Sequence, residues 1–165
     1  MRIVLLIVPA VLAMLLGGCA TTQRRTYSVS VVNAAREPVV LWLTKDGPPM
    51  EEQWLTPSQW HELRWRGTIP ADIPDPAVEL PPGMKVDLGP QRGRFDPGTG
   101  AALLVYSTPV TLAEMADTPR RSALLDIVLL EPGHNNVMVR SSSPVRAERV
   151  VRLEGRPAGA PEGRS

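Results

Sequence analysis

Thiols, histidines and small aromatic residues are scarce in this chain. Its 165 residues include one cysteine, Cys19, so no disulfide can form within it. A domain folded from it in an oxidising compartment must stand on its apolar core alone. One phenylalanine and two tyrosines leave four tryptophans as the main aromatic bulk. The two histidines, His61 and His134, share no HxxxH or CxxC spacing with another ligand, which leaves no linear metal motif. GxSxG, SxxK and a Cys/His pair are also missing, so no nucleophile is announced. Gly98-Thr99-Gly100 is too short for a phosphate loop and does not open a helix. Charge of one sign is lacking as well: 18 basic and 17 acidic residues give a formal net charge of +1. No basic stripe offers itself to nucleic acid.

What is present begins with an apolar run from Ile3 to Leu16, preceded by Arg2 and followed by Gly17-Gly18-Cys19. The run has the length of a signal-peptide core and is short for a membrane span of about 20 residues. Leu16-Gly17-Gly18-Cys19 resembles the bacterial lipoprotein signal, in which a leucine stands three residues before the modified cysteine. The resemblance implies cleavage between Gly18 and Cys19, a diacylglycerol thioether on Cys19 and an acyl chain on its new amine; no other cofactor is expected. Ala20, where an inner-membrane lipoprotein of enteric type would often carry Asp, implies the periplasmic face of the outer membrane rather than the inner membrane. The remainder of the chain resembles no family of known activity.

The domain reading is therefore a signal peptide at 1–18, a lipidated tether at 19–26, one folded domain at 27–154 and a disordered tail at 155–165, where Gly, Pro and Ala dominate. Eighteen prolines and thirteen glycines, scattered between short apolar runs, favour turns and strands over long helices. Residues 27–32 alternate as a half-buried strand does, and 38–43 read as the answering strand of a hairpin. Lys45-Asp46-Gly47-Pro48-Pro49 is a constrained turn. Thr56-Pro57-Ser58-Gln59 carries a capping box and predicts a short helix to about Leu63. Residues 68–82 are proline-rich and irregular. Strands are predicted at 84–88, 101–106, 122–130, 136–140 and 145–153, with a loop at 89–100 and a capped helical turn at Thr111 and Glu114. The run at 122–130 is the most apolar and is assigned a central place. The class is all-β: a single sandwich of seven or eight short strands, with immunoglobulin-like topology as the named option and one short helix in a loop.

All four tryptophans, Trp42, Trp54, Trp60 and Trp65, fall in one window among Asp46, Glu51, Glu52, Glu62 and His61. Trp42 lies in an apolar strand and reads as core, while Trp60 and Trp65 would pin the helix to the sheet. Trp54 follows Glu51-Glu52-Gln53 and is the one expected at the surface. Trp54, Glu51, Glu52 and His61 are thus the candidate ligand-binding residues, since flat aromatic faces stack on sugar rings while carboxylates accept hydroxyl hydrogen bonds. His61 with Glu51 and Glu52 also makes the one weighed metal set, but its spacing is not that of a ligand motif, so no metal is assigned. His134 is expected in a solvated turn.

Three functions follow. The first is a non-enzymatic, lipid-anchored envelope protein that binds another protein or supports an envelope assembly, with its strand edges as the contact surface. The second is a carbohydrate or peptidoglycan binder using the window 42–65. The third is a hydrolase whose site only the fold assembles. Labelled palmitate should enter the wild-type chain and be lost from Cys19→Ser; undiminished labelling of the variant removes the lipoprotein reading.

Overall fold

The computed structural model describes residues 22–150, and the signal, the cleavage site and the 155–165 tail lie outside them. Eight strands form two four-stranded sheets packed as a sandwich. They are β1 (Gln23–Asn33), β2 (Val39–Lys45), β3 (Val78–Leu80), β4 (Lys85–Phe95), β5 (Ala101–Ser107), β6 (Leu125–Leu129), β7 (Gly133–Ser142) and β8 (Val145–Arg149). One sheet has the order β4-β1-β7-β8 and the other β3-β2-β5-β6. All neighbours are antiparallel except β1 and β7, which run parallel. Helix α1 (Pro57–Trp65) follows a single 3₁₀ turn at Glu52–Trp54, and helix α2 (Leu112–Asp117) follows β5.

Sequence periodicity explains the layering. β1 alternates, and Tyr27, Val29 and Val31 enter the space between the sheets. β2 and β5 are apolar on both sides because both of their faces are covered. Val39, Leu41, Leu103 and Val105 face the other sheet, whereas Val40, Trp42, Leu104 and Tyr106 face a second apolar layer. That layer holds Leu55, Trp60, Ile69 and Met115, so the two helices roof the β3-β2-β5-β6 sheet.

The helices start where the sequence says. Thr56 Oγ1 accepts from Gln59 N and Gln59 Oε1 accepts from Thr56 N, at 3.3 and 2.9 Å. Thr111 and Glu114 repeat the device at the start of α2. Ser58 Oγ donates to the Ala116 carbonyl at 2.9 Å and ties one helix to the other.

Connections differ from the sequence reading. β1 and β2 do not form a hairpin; they lie in different sheets. The corner between them is built by Asn33, fully buried, whose amide donates to the carbonyls of Glu37 and Leu80 and accepts from Ala35 N. The apolar run at 122–130 gives an edge strand, β6, not a central one. Leu125 and Ile127 pack toward the helix layer and Val128 and Leu130 toward the other sheet, while Leu124 and Leu129 stay exposed. Residues 136–140 lie in β7, which joins the opposite sheet instead of returning against β6. The loop expected at 89–100 is largely strand: β4 runs through Gly89-Pro90 to Phe95, with the register shift against β1 falling between Tyr27 and Val29. An edge strand tolerates that proline. A three-residue strand, β3, also lies inside the proline-rich segment.

The edge of β6 is tied to β8 rather than left for pairing. Asp126 of β6 accepts from Ala147 N of β8 at 2.7 Å and from Ile127 N at 3.0 Å, and Val145 N donates to the Ala123 carbonyl. An inward-pointing carboxylate thus satisfies a donor of the neighbouring sheet's edge. Asp126→Ala should cost about 1–3 kcal/mol by orphaning that N–H. Faster hydrogen exchange at the Ala147 amide, with a lowered Tm, is the expected readout, and an unchanged exchange rate refutes the assignment.

Candidate functional site

The turn at Glu52–Trp54 folds back over the end of β4 instead of standing in solvent. Glu51 makes it do so. Its Oε2 accepts from Lys45 Nζ at 2.9 Å and from Arg94 N at 2.9 Å. Lys45 Nζ also donates to the Arg94 carbonyl at 2.7 Å and stands 5.2 Å from the centre of the Phe95 ring. The Lys45 side chain is only 2 % exposed. Such a buried ammonium is tolerated because each of these contacts offsets its desolvation. Trp54 then drops into the core, 1 % exposed, edge-on to Tyr27 and Phe95 with centroids 5.9 and 5.5 Å away. Its indole N–H donates to the Arg92 carbonyl at 3.3 Å. A Cβ at Gly93 would stand 2.4 Å from Trp54 Nε1, so only glycine fits there. Gly47, at φ 76°, lets the preceding turn reverse.

The expected exposure of Trp54 is therefore corrected: the acidic triplet before it marks a turn anchored by one carboxylate, not a solvated loop. Trp42 is core and Trp60 holds α1 to the sheet, as read, with indole N–H groups donating to the Leu55 carbonyl at 2.8 Å and to Asp75 Oδ1 at 3.0 Å. Trp65 reverses expectation in the other direction. It pins nothing and is 86 % exposed at the end of α1. His61 lies one helical turn before it, also exposed, and Glu52 is exposed on the 3₁₀ turn. Glu51 is committed to Lys45 and Arg94, so the four candidate residues are not gathered around one cavity. Among the described residues no group of three or more His, Cys, Asp or Glu is placed to hold a metal ion.

A second polar cluster lies on the outer face of β1, β4 and β7. His134 is on a strand rather than in a turn, with Nδ1 3.0 Å from Ser28 Oγ and Nε2 3.3 Å from Ser30 Oγ. Ser30 Oγ in turn donates to Asp87, which also pairs with Lys85. The Ser30 hydrogen bond, with Lys85, holds the Asp87 carboxyl below the usual range. Serine, histidine and aspartate meet here, but the carboxylate holds a serine hydroxyl and not the imidazole, which is not the order a hydrolytic triad uses.

A groove of about 680 Å³ opens on the outer face of β5 and β6 beside α2. Tyr106 in its floor is buried, which pushes its phenol up to about 12.

No protein-family model matches the chain, and no match is found among curated proteins. Among solved structures, the crystal structure of the T6SS lipoprotein TssJ1 from Pseudomonas aeruginosa is similar at 11% identity over 80% of this chain and 98% of that one, with a TM-score of 0.35. A likeness that loose assigns neither family nor activity.

Burial raises the Glu51 pKa, but the Lys45 hydrogen bond, the Arg94 amide and both cationic charges outweigh it and hold the carboxyl below the ordinary glutamate value. A depressed pKa stabilises the fold above the ordinary value and ceases to do so as pH falls through the folded one. Unfolding midpoints should therefore drop on acidification below about pH 4, and less steeply in Glu51→Gln. At neutral pH that variant should lose about 3 kcal/mol by leaving Lys45 without its counter-charge. Equal acid sensitivity in both proteins overturns this account.

Proposed function

We propose that the chain is a lipid-anchored protein of the bacterial cell envelope, acting by binding rather than by catalysis, and that its domain supports an envelope assembly through a protein partner. The lipobox-like Leu16-Gly17-Gly18-Cys19 supports the anchor, and Ala20 after it favours the periplasmic face of the outer membrane. The tether is short, because β1 begins at Gln23. The domain is thereby held against the bilayer.

One observation carries the binding reading. Three of the four tryptophans are buried and satisfied, while Trp65 stands 86 % exposed. His61, Glu62 and Arg66 are exposed beside it, and Arg66 pairs with Glu62. An amphipathic aromatic rimmed by charge is the composition of an interface anchor. The strand edges, first considered as the contact surface, are less suited, since the 51–54 turn covers β4 and Asp126 joins β6 to β8.

A second reading uses the same residue. Trp65 with Glu62 offers a ring face and a carboxylate to a glycan strand, which moves the carbohydrate hypothesis from Trp54 to Trp65.

Trp65→Ala should leave stability within about 0.5 kcal/mol of wild type, as for other surface substitutions. Cross-linking in intact cells should recover a defined envelope protein with the wild-type chain and lose it with the variant. Recovery of the same protein by both chains refutes docking at α1. Trp65-dependent sedimentation with purified sacculi would instead select the glycan reading.

A further inference from the structure

The two ends of the sandwich are distinguishable. β1 starts, β2 and β4 finish and β5 starts at one end, where Lys45 pairs with Ala101 and Gln23 with Phe95. Residues 22–25 enter at this end. Thr22 Oγ1 donates to Asp96 at 3.0 Å, and Arg25 donates to the Thr99 carbonyl at 3.2 Å. Cys19 stands three residues before Thr22, a reach of about 10 Å.

The groove on the outer face of β5 and β6 opens at that same end. Arg25, Thr99 and Gly100 border its mouth. From there its floor follows β5 from Ala102 to Tyr106 and β6 from Leu129 back to Leu125, about 13 Å at the rise of a strand. Leu104, Tyr106, Ile127 and Met115 make it apolar, and Leu129 is left 74 % exposed beside it. Arg120 and Asp46, 3.5 Å apart, lie on the rim. Polar side chains also line it, among them Thr56, Ser58, Thr118 and Glu131, but the floor along β5 and β6 is mainly apolar, an arrangement that suits an amphiphile.

Tyr27 adds a second observation. It is fully buried, it lines the groove, and its hydroxyl has no hydrogen-bond partner among the described residues. An unpaired buried hydroxyl is costly and suits a ligand that brings an acceptor.

We propose that the groove holds one fatty-acyl chain of the lipidated Cys19, with the chain's ester or amide carbonyl at the mouth near Arg25 and Tyr27 and its hydrocarbon along β5 and β6. The proposal rests on the lipoprotein reading. It commits to the chain's own lipid because the anchor enters within reach of the mouth. The remaining chains on Cys19 would stay in the bilayer, so the groove fixes the domain's tilt on the membrane and shields one chain.

The full chain is expressed in cells fed a diazirine-bearing palmitate, irradiated, and mapped by mass spectrometry. Label on Cys19 with intramolecular adducts on peptides containing Leu104, Met115 or Leu129 is the expected result. Ala102→Phe, which fills the floor, should lower adduct yield at least fivefold at unchanged label incorporation. Leu129→Lys, at an exposed position that folding does not depend on, should lower it as well. No label on Cys19 refutes the lipoprotein reading itself. Label on Cys19 with adducts only to phospholipid, or equal yields in both variants, refutes the groove alone. Equal groove adducts in Cys19→Ser would show that a diffusible fatty acid fills it, which also overturns the proposal.

Discussion

The ammonium of Lys45 sits where the two sheets meet, and much of the candidate region depends on it. It leaves β2, reaches the Arg94 carbonyl on β4 and pairs with Glu51. Glu51 also accepts from Arg94 N, so one lysine and one glutamate bridge both sheets and the turn between β2 and α1. The pair is expensive to bury and would contribute little as an isolated contact. Its value is geometric. It fixes the 51–54 turn, which places Trp54 against Tyr27 and Phe95, which in turn requires glycine at position 93.

From that node the architecture divides into layers. The inter-sheet core is built by alternating residues of β1 and β7 against β2 and β5. The second core lies on the far side of β2 and β5, under α1 and α2. The β3-β2-β5-β6 sheet is therefore buried twice, and the β4-β1-β7-β8 sheet once. Its open face carries the polar row of Ser28, Ser30, Asp87 and His134. The roof of helices does not extend fully over β6, and the groove lies in that gap. Because the chain enters at one end of the sandwich, the groove mouth and the 45–51 and 95–101 loops share that end, and the 33–39 and 80–85 segments lie at the other.

The tryptophan window shows how far composition reaches into a site. Four large residues among acidic ones read as a single face, but they serve three different environments. Trp42 alternates into the helix-covered layer, Trp54 enters the inter-sheet core and Trp60 faces the sheet from α1. Only Trp65 is left outside. Its position follows from helical phase: five residues beyond Trp60 it has turned to a different side, so no single face can bury both. That signal was present in the sequence. The burial of Trp54 was not, since it depends on Lys45 and Arg94, the latter 40 positions along the chain.

Local physics gave most of the strands, both capping boxes, the turn at Gly47 and the all-β class, because alternation, caps and glycine conformations are decided by neighbours a few residues apart; β3 and the second half of β4 escaped it. The lipid-anchor reading is local in the same sense, resting on four consecutive residues. Strand order is not local. The 27–32 and 38–43 segments carry no mark that sends them to different sheets; the corner at Asn33 is completed by the Leu80 carbonyl. An apolar run such as 122–130 is silent on how many strands flank it, and two of its leucines, Leu124 and Leu129, are left exposed. The groove, the buried Lys45 and the burial of Trp54 are differences between surfaces that only come together once the sheets stack, and tertiary packing alone decided them.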